Sequence, residues 1–494
     1  MKNNNTILLG GKLLAKNSLY SFIGMILPMI AGLIAIPFLL TEMGENLFGL
    51  LILFWSTISY ITMLDFGLNR AATKYFAQNI GILNEQDNLN LLATSIVFVV
   101  SIGFLAGSVL FFGSEFLVSQ LFEESSEISS IAVDCFKLIS YYSPVLLLIP
   151  TLSAFLRSYQ NFKWLSIINS INGILNYVIP IIALIGSYNL YEIINALLIV
   201  KVIILVALVA ASFKFIKVSK FSFLELDLTQ NIKKLITFGG WVSISNFLAP
   251  LFDYTDRFVI ASYITVSAVA IYGTPLEIVL KVGMIAMAIS SVLFAAISNS
   301  IEHDLVKTEK IINKSLSLVT LLTYPMILTL TLFAEEGLTL WVGSAIAIEG
   351  AIVLQIVGIG ILFKCSTNIS IAYLHSINKP KTTAKVHVFE FVFYLAGLIA
   401  LVKLFGLKGA AIAHTVRLVL DNLLMGYLAQ KNSKNMNLTF IKNTKVIMLL
   451  VVSISPAFLE TSLYLKLCWW VISMIFYSVY LSRNFNNYKR LLYK

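Results

Sequence analysis

The feature that most constrains this chain is a series of apolar runs, each about as long as a bilayer is thick. A helix needs about 20 such residues to cross the hydrocarbon. Fourteen stretches qualify: 19–40, 47–68, 91–112, 132–156, 164–186, 189–213, 235–263, 267–300, 315–333, 350–374, 385–404, 409–430, 446–464 and 466–482. Only closed barrels and helices satisfy the backbone inside lipid, and runs of this length are helical. The expected fold class is therefore an all-α polytopic membrane protein with about 14 transmembrane helices. Composition agrees, because 58% of residues are hydrophobic and 12% charged, where a soluble chain carries about a quarter charged.

The cations order these spans. With a cytoplasmic N-terminus, 26 Lys and Arg fall in inside segments and 3 outside, namely Lys403, Lys408 and Lys466. That asymmetry is the positive-inside pattern, and it puts both termini in the cytoplasm. It also explains the net charge of +10. The cations face anionic headgroups of the phospholipid membrane, so nucleic acid is not an expected partner. The opening "MKNNNTILLGGKLLAKN" is too broken by Lys12 and Lys16 to be a cleavable signal, and it suits a short helix at the membrane surface.

A weak internal repeat divides the spans. Thr41, Phe48 and Gly49 recur as Thr265, Tyr272 and Gly273 at one constant offset, which also places Ala71 and Ala72 on Ala295 and Ala296. The offset covers six helices, an even number, so the units are parallel repeats. The expected organisation is an N-terminus over 1–18, an N-lobe over 19–213, an inter-lobe loop over 214–234 and a C-lobe over 235–430. Two added helices with their preceding loop fill 431–482, and a basic tail fills 483–494.

Soluble-enzyme signals are absent. There is no Gly-rich phosphate loop, no HExxH and no nucleophile elbow. The histidines are dispersed, and the three cysteines have neither metal-ligand spacing nor a disulfide pattern. The outside loops are short and acidic, with no room for a catalytic domain.

Charges inside spans are the sharper signal, because burying them in lipid is costly. Asp253 and Arg257, Glu277 and Lys281, and Arg417 and Asp421 sit at i,i+4 spacing. One reading of each pair is that it merely makes its span tolerable. Lys201 and Lys364 have no such neighbour, and Glu390 has only His387 one turn earlier. The economical reading gathers Arg257, Lys281, Lys364, Arg417 and Lys201 around water, where they would attract an anionic substrate. Asp253, Glu277, Glu390, Asp421 and Asp256 would pair with them or take up a coupling ion. Asn169, Asn172 and Asn176 share a helical face suited to sugar hydroxyls or, equally, to interhelical packing.

Two stretches carry a family resemblance. "FLLTEMGENLFGLLILFWSTISYITMLDFGLNRAATKYFAQ" presents Leu39, Leu40, Thr41, Gly44, Phe48 and Gly49, then Leu64, Asp65, Phe66, Gly67, Ala72 and Lys74. "SNFLAPLFDYTDRFVIASYITVSAVAIYG" presents Asp256 and Arg257 before a short external turn. Both resemble the polysaccharide-transporter, Wzx-type flippases of the MATE/MOP superfamily. The resemblance implies a bacterial inner-membrane flippase for undecaprenyl-diphosphate-linked oligosaccharides, serving O-antigen, capsule or exopolysaccharide export by alternating access. It implies a polysaccharide polymerase and chain-length machinery as partners, no cofactor, and coupling to H⁺ or Na⁺. Arg257 would contact the anionic head group, Asp253 would hold Arg257 in place or titrate against it, and Asp256 would point to the outer mouth. A lipid II flippase or another exporter of the superfamily is the alternative within the fold. A membrane glycosyltransferase or polymerase is the alternative outside it.

Overall fold

The computed structural model of the chain describes residues 11–64, 76, 85–121, 127–159, 161–213, 215, 228–300, 304–377, 379–433, 436–459 and 462–492. Asp65, Phe66, Gly67, Ala71, Ala72 and Lys74 lie outside these residues, as do Lys2, Arg70, Lys214, Lys217, Lys220, Lys434 and Lys494.

The protein is an all-α polytopic membrane protein. Among the described residues there are thirteen α-helices and no strand. They are α1 Gly11–Met63, α2 Glu85–Ser119, α3 Glu127–Ser158, α4 Phe162–Ile185, α5 Leu190–Phe213, α6 Leu228–Tyr263 and α7 Val266–Ser300. Then come α8 Leu305–Leu332, α9 Ala334–Val342, α10 Ser344–Ser376, α11 Pro380–Lys431, α12 Phe440–Val452 and α13 Leu463–Leu492. Nine helical segments among the described residues are long and apolar enough to cross a membrane.

Two of these helices are too long for one crossing. At 53 and 52 residues, α1 and α11 would each run about 80 Å straight, against a hydrocarbon core of about 30 Å. Each breaks at one glycine, Gly44 at φ 69° and Gly406 at φ 58°. Side chains other than glycine's rarely accept that backbone. The expected spans 19–40 and 47–68 thus meet at Gly44, and 385–404 and 409–430 meet at Gly406. The helix of α1 already runs from Gly11, so residues 11–18 continue it rather than forming a separate surface helix.

One expectation needs correction. The span expected at 446–464 is not a continuous crossing. Helix α12 has 13 residues, about 20 Å, and a 3-10 turn follows at Ser455–Phe458. Pro456 is the cause, since it lacks an N–H and its ring disfavours helix at the residue before it. The freed backbone finds side chains instead: Trp469 Nε1 donates to the Ser453 carbonyl at 2.7 Å. The short acidic loop after α8 holds the short helix α9.

The chain forms two compact units, residues 1–273 with 380–403, and residues 274–379 with 404–494. Helix α6, the start of α7 and the first half of α11 belong to the first unit. In that unit, close backbone approach draws α7 onto α1. Gly49 faces the Val266 carbonyl so tightly that a Cβ would collide with it, and Gly273 faces the Ile52 side chain. The repeat-related residues Phe48 and Tyr272 beside these glycines are both fully buried.

In the second unit, α12 is tied in by a buried amide and hydroxyl layer. Thr444 Oγ1 donates to Asn422 Oδ1 at 2.8 Å, and Asn443 Nδ2 donates to Ser366 Oγ at 2.9 Å. Helix α13 is held by an ion pair of Lys466 with Glu336 at 2.7 Å and by Trp470 Nε1 donating to Thr329 Oγ1 at 2.9 Å. Cys135 and Cys365 are buried and Cys468 is partly so.

The glycine contact yields a test. Gly49→Ala should lower stability by about 1–3 kcal/mol or more, since the obstacle is backbone. Gly113→Ala, where a Cβ meets nothing within 4 Å, should leave it unchanged. Melting of the detergent-purified protein followed by size exclusion reads both.

Candidate functional site

Helical hairpins set the depth of every candidate side chain. Between α4 and α5 the turn is closed by a reciprocal cap. Asn189 Oδ1 accepts from Glu192 N at 3.0 Å, and Glu192 Oε2 accepts from Asn189 N at 2.8 Å. This capping box fixes where α5 begins. Lys201 then lies as far past the turn as the Asn172–Asn176 stretch lies before it. The lysine Nζ donates to Asn172 Oδ1 at 2.8 Å and to Asn176 Oδ1 at 2.7 Å. Lys201 is 6% exposed, near the middle of its helix. Among the described residues no carboxylate is within ion-pair distance of it. Two groups expected to act separately, a cation and two sugar-binding amides, are thus one cluster. Asn169 lies exposed one turn earlier on the same helix face.

A second cluster lies in the hairpin of α6 and α7. Thr265 Oγ1 caps α7 by accepting from Ala268 N at 3.1 Å, which fixes the register of the two helices. Asp256 and Tyr272 each lie eight residues from Ile264 in the turn, and the Tyr272 hydroxyl donates to Asp256 Oδ2 at 2.8 Å. Asp256 is fully buried, so it does not point to an outer mouth. Its other oxygen accepts from Arg257 N at 2.8 Å.

Arg257 is 2% exposed. Its Nη1 donates to the Asp253 main-chain carbonyl at 2.8 Å, and its guanidinium stands 4.9 Å from the Tyr254 ring centroid. This contact of Arg257 with Asp253 is thus to its backbone. Tyr254 in turn contacts Tyr60. Glu390 is buried on the first half of α11, near Tyr394, whose ring packs on Phe252. His387 packs on the same phenylalanine.

The second unit holds the remaining candidates. Lys281 and Glu277 form the i,i+4 ion pair their spacing suggests, at 3.1 Å and about one-third exposed. Lys364 is half-buried on α10, and Arg417 and Asp421 are buried on the second half of α11.

Sequence reasoning passed over Tyr272 and Tyr254 as site residues. The signal for Tyr272 was available in its equal distance from the turn. That for Tyr254, an aromatic three residues before an arginine on one helix, was weak.

Comparison with known proteins fits this architecture. The profile of the family described as "Polysaccharide biosynthesis protein" matches residues 14–301, more than half the chain. A Shigella flexneri protein named "Putative O-antigen transporter" is 30% identical over 413 residues, covering 84% of this chain and 97% of that protein. Among solved structures, a lipid II flippase, MurJ, in an inward closed conformation superposes at TM-score 0.73 with 15% identity, over 95% of this chain and 99% of the other. An inward-facing multidrug resistance MATE transporter of the MOP superfamily superposes at 0.69 with 16% identity, over 84% and 99%. These two show the fold.

The buried Tyr272–Asp256 bond and the part-exposed Lys281–Glu277 pair should respond differently to mutation. Tyr272→Phe removes a buried hydrogen bond to a carboxylate and should cost about 1.5–3 kcal/mol. Lys281→Ala breaks a part-exposed pair and should cost no more than about 1 kcal/mol. Unfolding titrations in mixed micelles compare them, and equal losses would refute the contrast.

Proposed function

Since the chain belongs to the polysaccharide biosynthesis protein family, we propose that it is a flippase moving lipid-linked oligosaccharide repeat units across the bacterial cytoplasmic membrane. It is a transporter, not an enzyme. The carrier lipid in this reading is undecaprenyl diphosphate, and the exported units build O-antigen, capsule or exopolysaccharide. The observation that carries the proposal is the set of cationic side chains held at membrane depth, in a chain that matches nearly the full length of a relative named for O-antigen transport. A transporter of cationic drugs gains nothing from buried lysine and arginine. A diphosphate-bearing cargo does.

Each unit contributes to the work in this reading. Lys201 and Arg257 in the first, and Lys281, Lys364 and Arg417 in the second, offer positive charge to the diphosphate and to acidic sugars as the protein alternates access. Arg257 is so buried that a headgroup reaches it only in another conformation. Asp253, Glu277, Glu390 and Asp421 are the carboxylates available for coupling to H⁺ or Na⁺. Asp256, already bonded to Tyr272, instead braces the α6–α7 hairpin. Asn169 offers an exposed amide to sugar hydroxyls. A polymerase and chain-length machinery would receive the cargo on the far side, and both termini would lie in the cytoplasm.

Complementation tests this. The wild type should restore the surface glycan of a bacterium lacking its own flippase. Of Arg257→Ala, Lys281→Ala, Lys364→Ala and Arg417→Ala, at least two should cut glycan output about tenfold at normal protein level, the loss of one charge-assisted contact. Failure of the wild type across several glycans would overturn the substrate class. Full activity of all four variants would remove the cations from the mechanism.

A further inference from the structure

Lys201 is bonded to the amide oxygens beside it. An ammonium carries three N–H donors and no acceptor, so it engages Asn172 and Asn176 through their oxygens. Each amide therefore turns its NH₂ group away from the lysine. Those NH₂ groups have no hydrogen-bond partner among the described residues, and both asparagines are part exposed. The ammonium retains a third N–H. The cluster thus presents open N–H donors, with one net positive charge that no carboxylate offsets among the described residues.

That inventory selects a ligand chemistry. A sugar hydroxyl both donates and accepts, and here each amide oxygen has already given one lone pair to the ammonium, while the N–H donors stay open. An anionic oxygen group accepts without donating, and it neutralises the charge as well. Unpaired N–H groups at mid-helix depth are not tolerated against hydrocarbon, so they face water or a polar ligand. The uncompensated lysine makes an anion the better occupant.

We propose that Lys201, Asn172 and Asn176 form one receptor for an anionic oxygen group of the cargo, either its diphosphate or a sugar carboxylate. The receptor rests on the flippase reading and assigns these asparagines to anion recognition instead of hydroxyl contact. Lys201 supplies the charge. The two amides hold the ammonium in place and add N–H donors beside it.

The test uses the full-length protein in nanodiscs and two probes. One is a prenyl diphosphate carrying a neutral disaccharide. The other carries the same disaccharide with a terminal uronic acid. Lys201→Met removes the charge. Asn176→Asp keeps the shape and places a carboxylate against the ammonium, filling the receptor from within. Both variants should bind about tenfold more weakly or worse. Loss confined to the uronic acid probe assigns the receptor to the sugar carboxylate. Loss on both probes assigns it to the diphosphate.

Losses count where melting temperature and size exclusion match the wild type. If Lys201→Met fails that check, the near-isosteric Asn176→Asp decides. Wild-type affinity of both variants for both probes would refute the receptor and leave the flippase reading standing. A folded wild type that binds neither probe would overturn the flippase reading, and the receptor with it.

Discussion

Lipid offers the backbone no hydrogen bonds, and every other feature of this fold follows from that. Each crossing must be a helix, and each helix must satisfy its own ladder. Where the chain departs from helix, side chains or special backbone take over. Gly44 and Gly406 turn the chain by adopting positive φ. After α12 the Ser453 carbonyl is met by the Trp469 indole. With the backbone settled this way, specificity at membrane depth is left to a few polar side chains. Their heights are set by counting residues from the turns.

The buried charges are then handled in three physical styles. Glu277 and Lys281 neutralise each other along one helix. Arg257 leans on its own helix's carbonyl and on an aromatic face, which spreads its charge over polarisable groups. Among the described residues, Lys201 is held by neutral amide oxygens alone, which orient an ammonium without cancelling it. A pair makes a span tolerable. An oriented, uncancelled cation keeps an attraction in reserve for something that arrives from outside the protein.

Most of the fold could be read from the chain before any coordinates, because span length is a direct physical requirement. Thirteen of the fourteen expected crossings fall on long helices. The exception, 446–464, failed at Pro456, where apolarity continues but the helix cannot. Sequence spacing does not reveal that Gly49 admits a carbonyl from α7 against it, and this contact pulls α7 toward α1. At the candidate site, residue types were legible and partners were not. Lys201 looked solitary because only its own helix was searched. Asp256 looked outward because a helix rotation was counted and the facing helix was not. In both hairpins the partner lies at mirrored distance across the turn, a relation as readable as i,i+4.

The capping box at Asn189 and Glu192 has a consequence for how this chain can vary over evolution. One residue added to or removed from the α4–α5 turn would rotate Lys201 by about 100° and shift it about 1.5 Å along its axis. Both amide contacts would be lost at once. External turns of membrane proteins ordinarily tolerate insertions and deletions freely. Here the length of one turn is bound to a charge near the middle of the helices it joins. Homologues that keep the lysine and both asparagines should keep that turn's length too, whatever residues fill it.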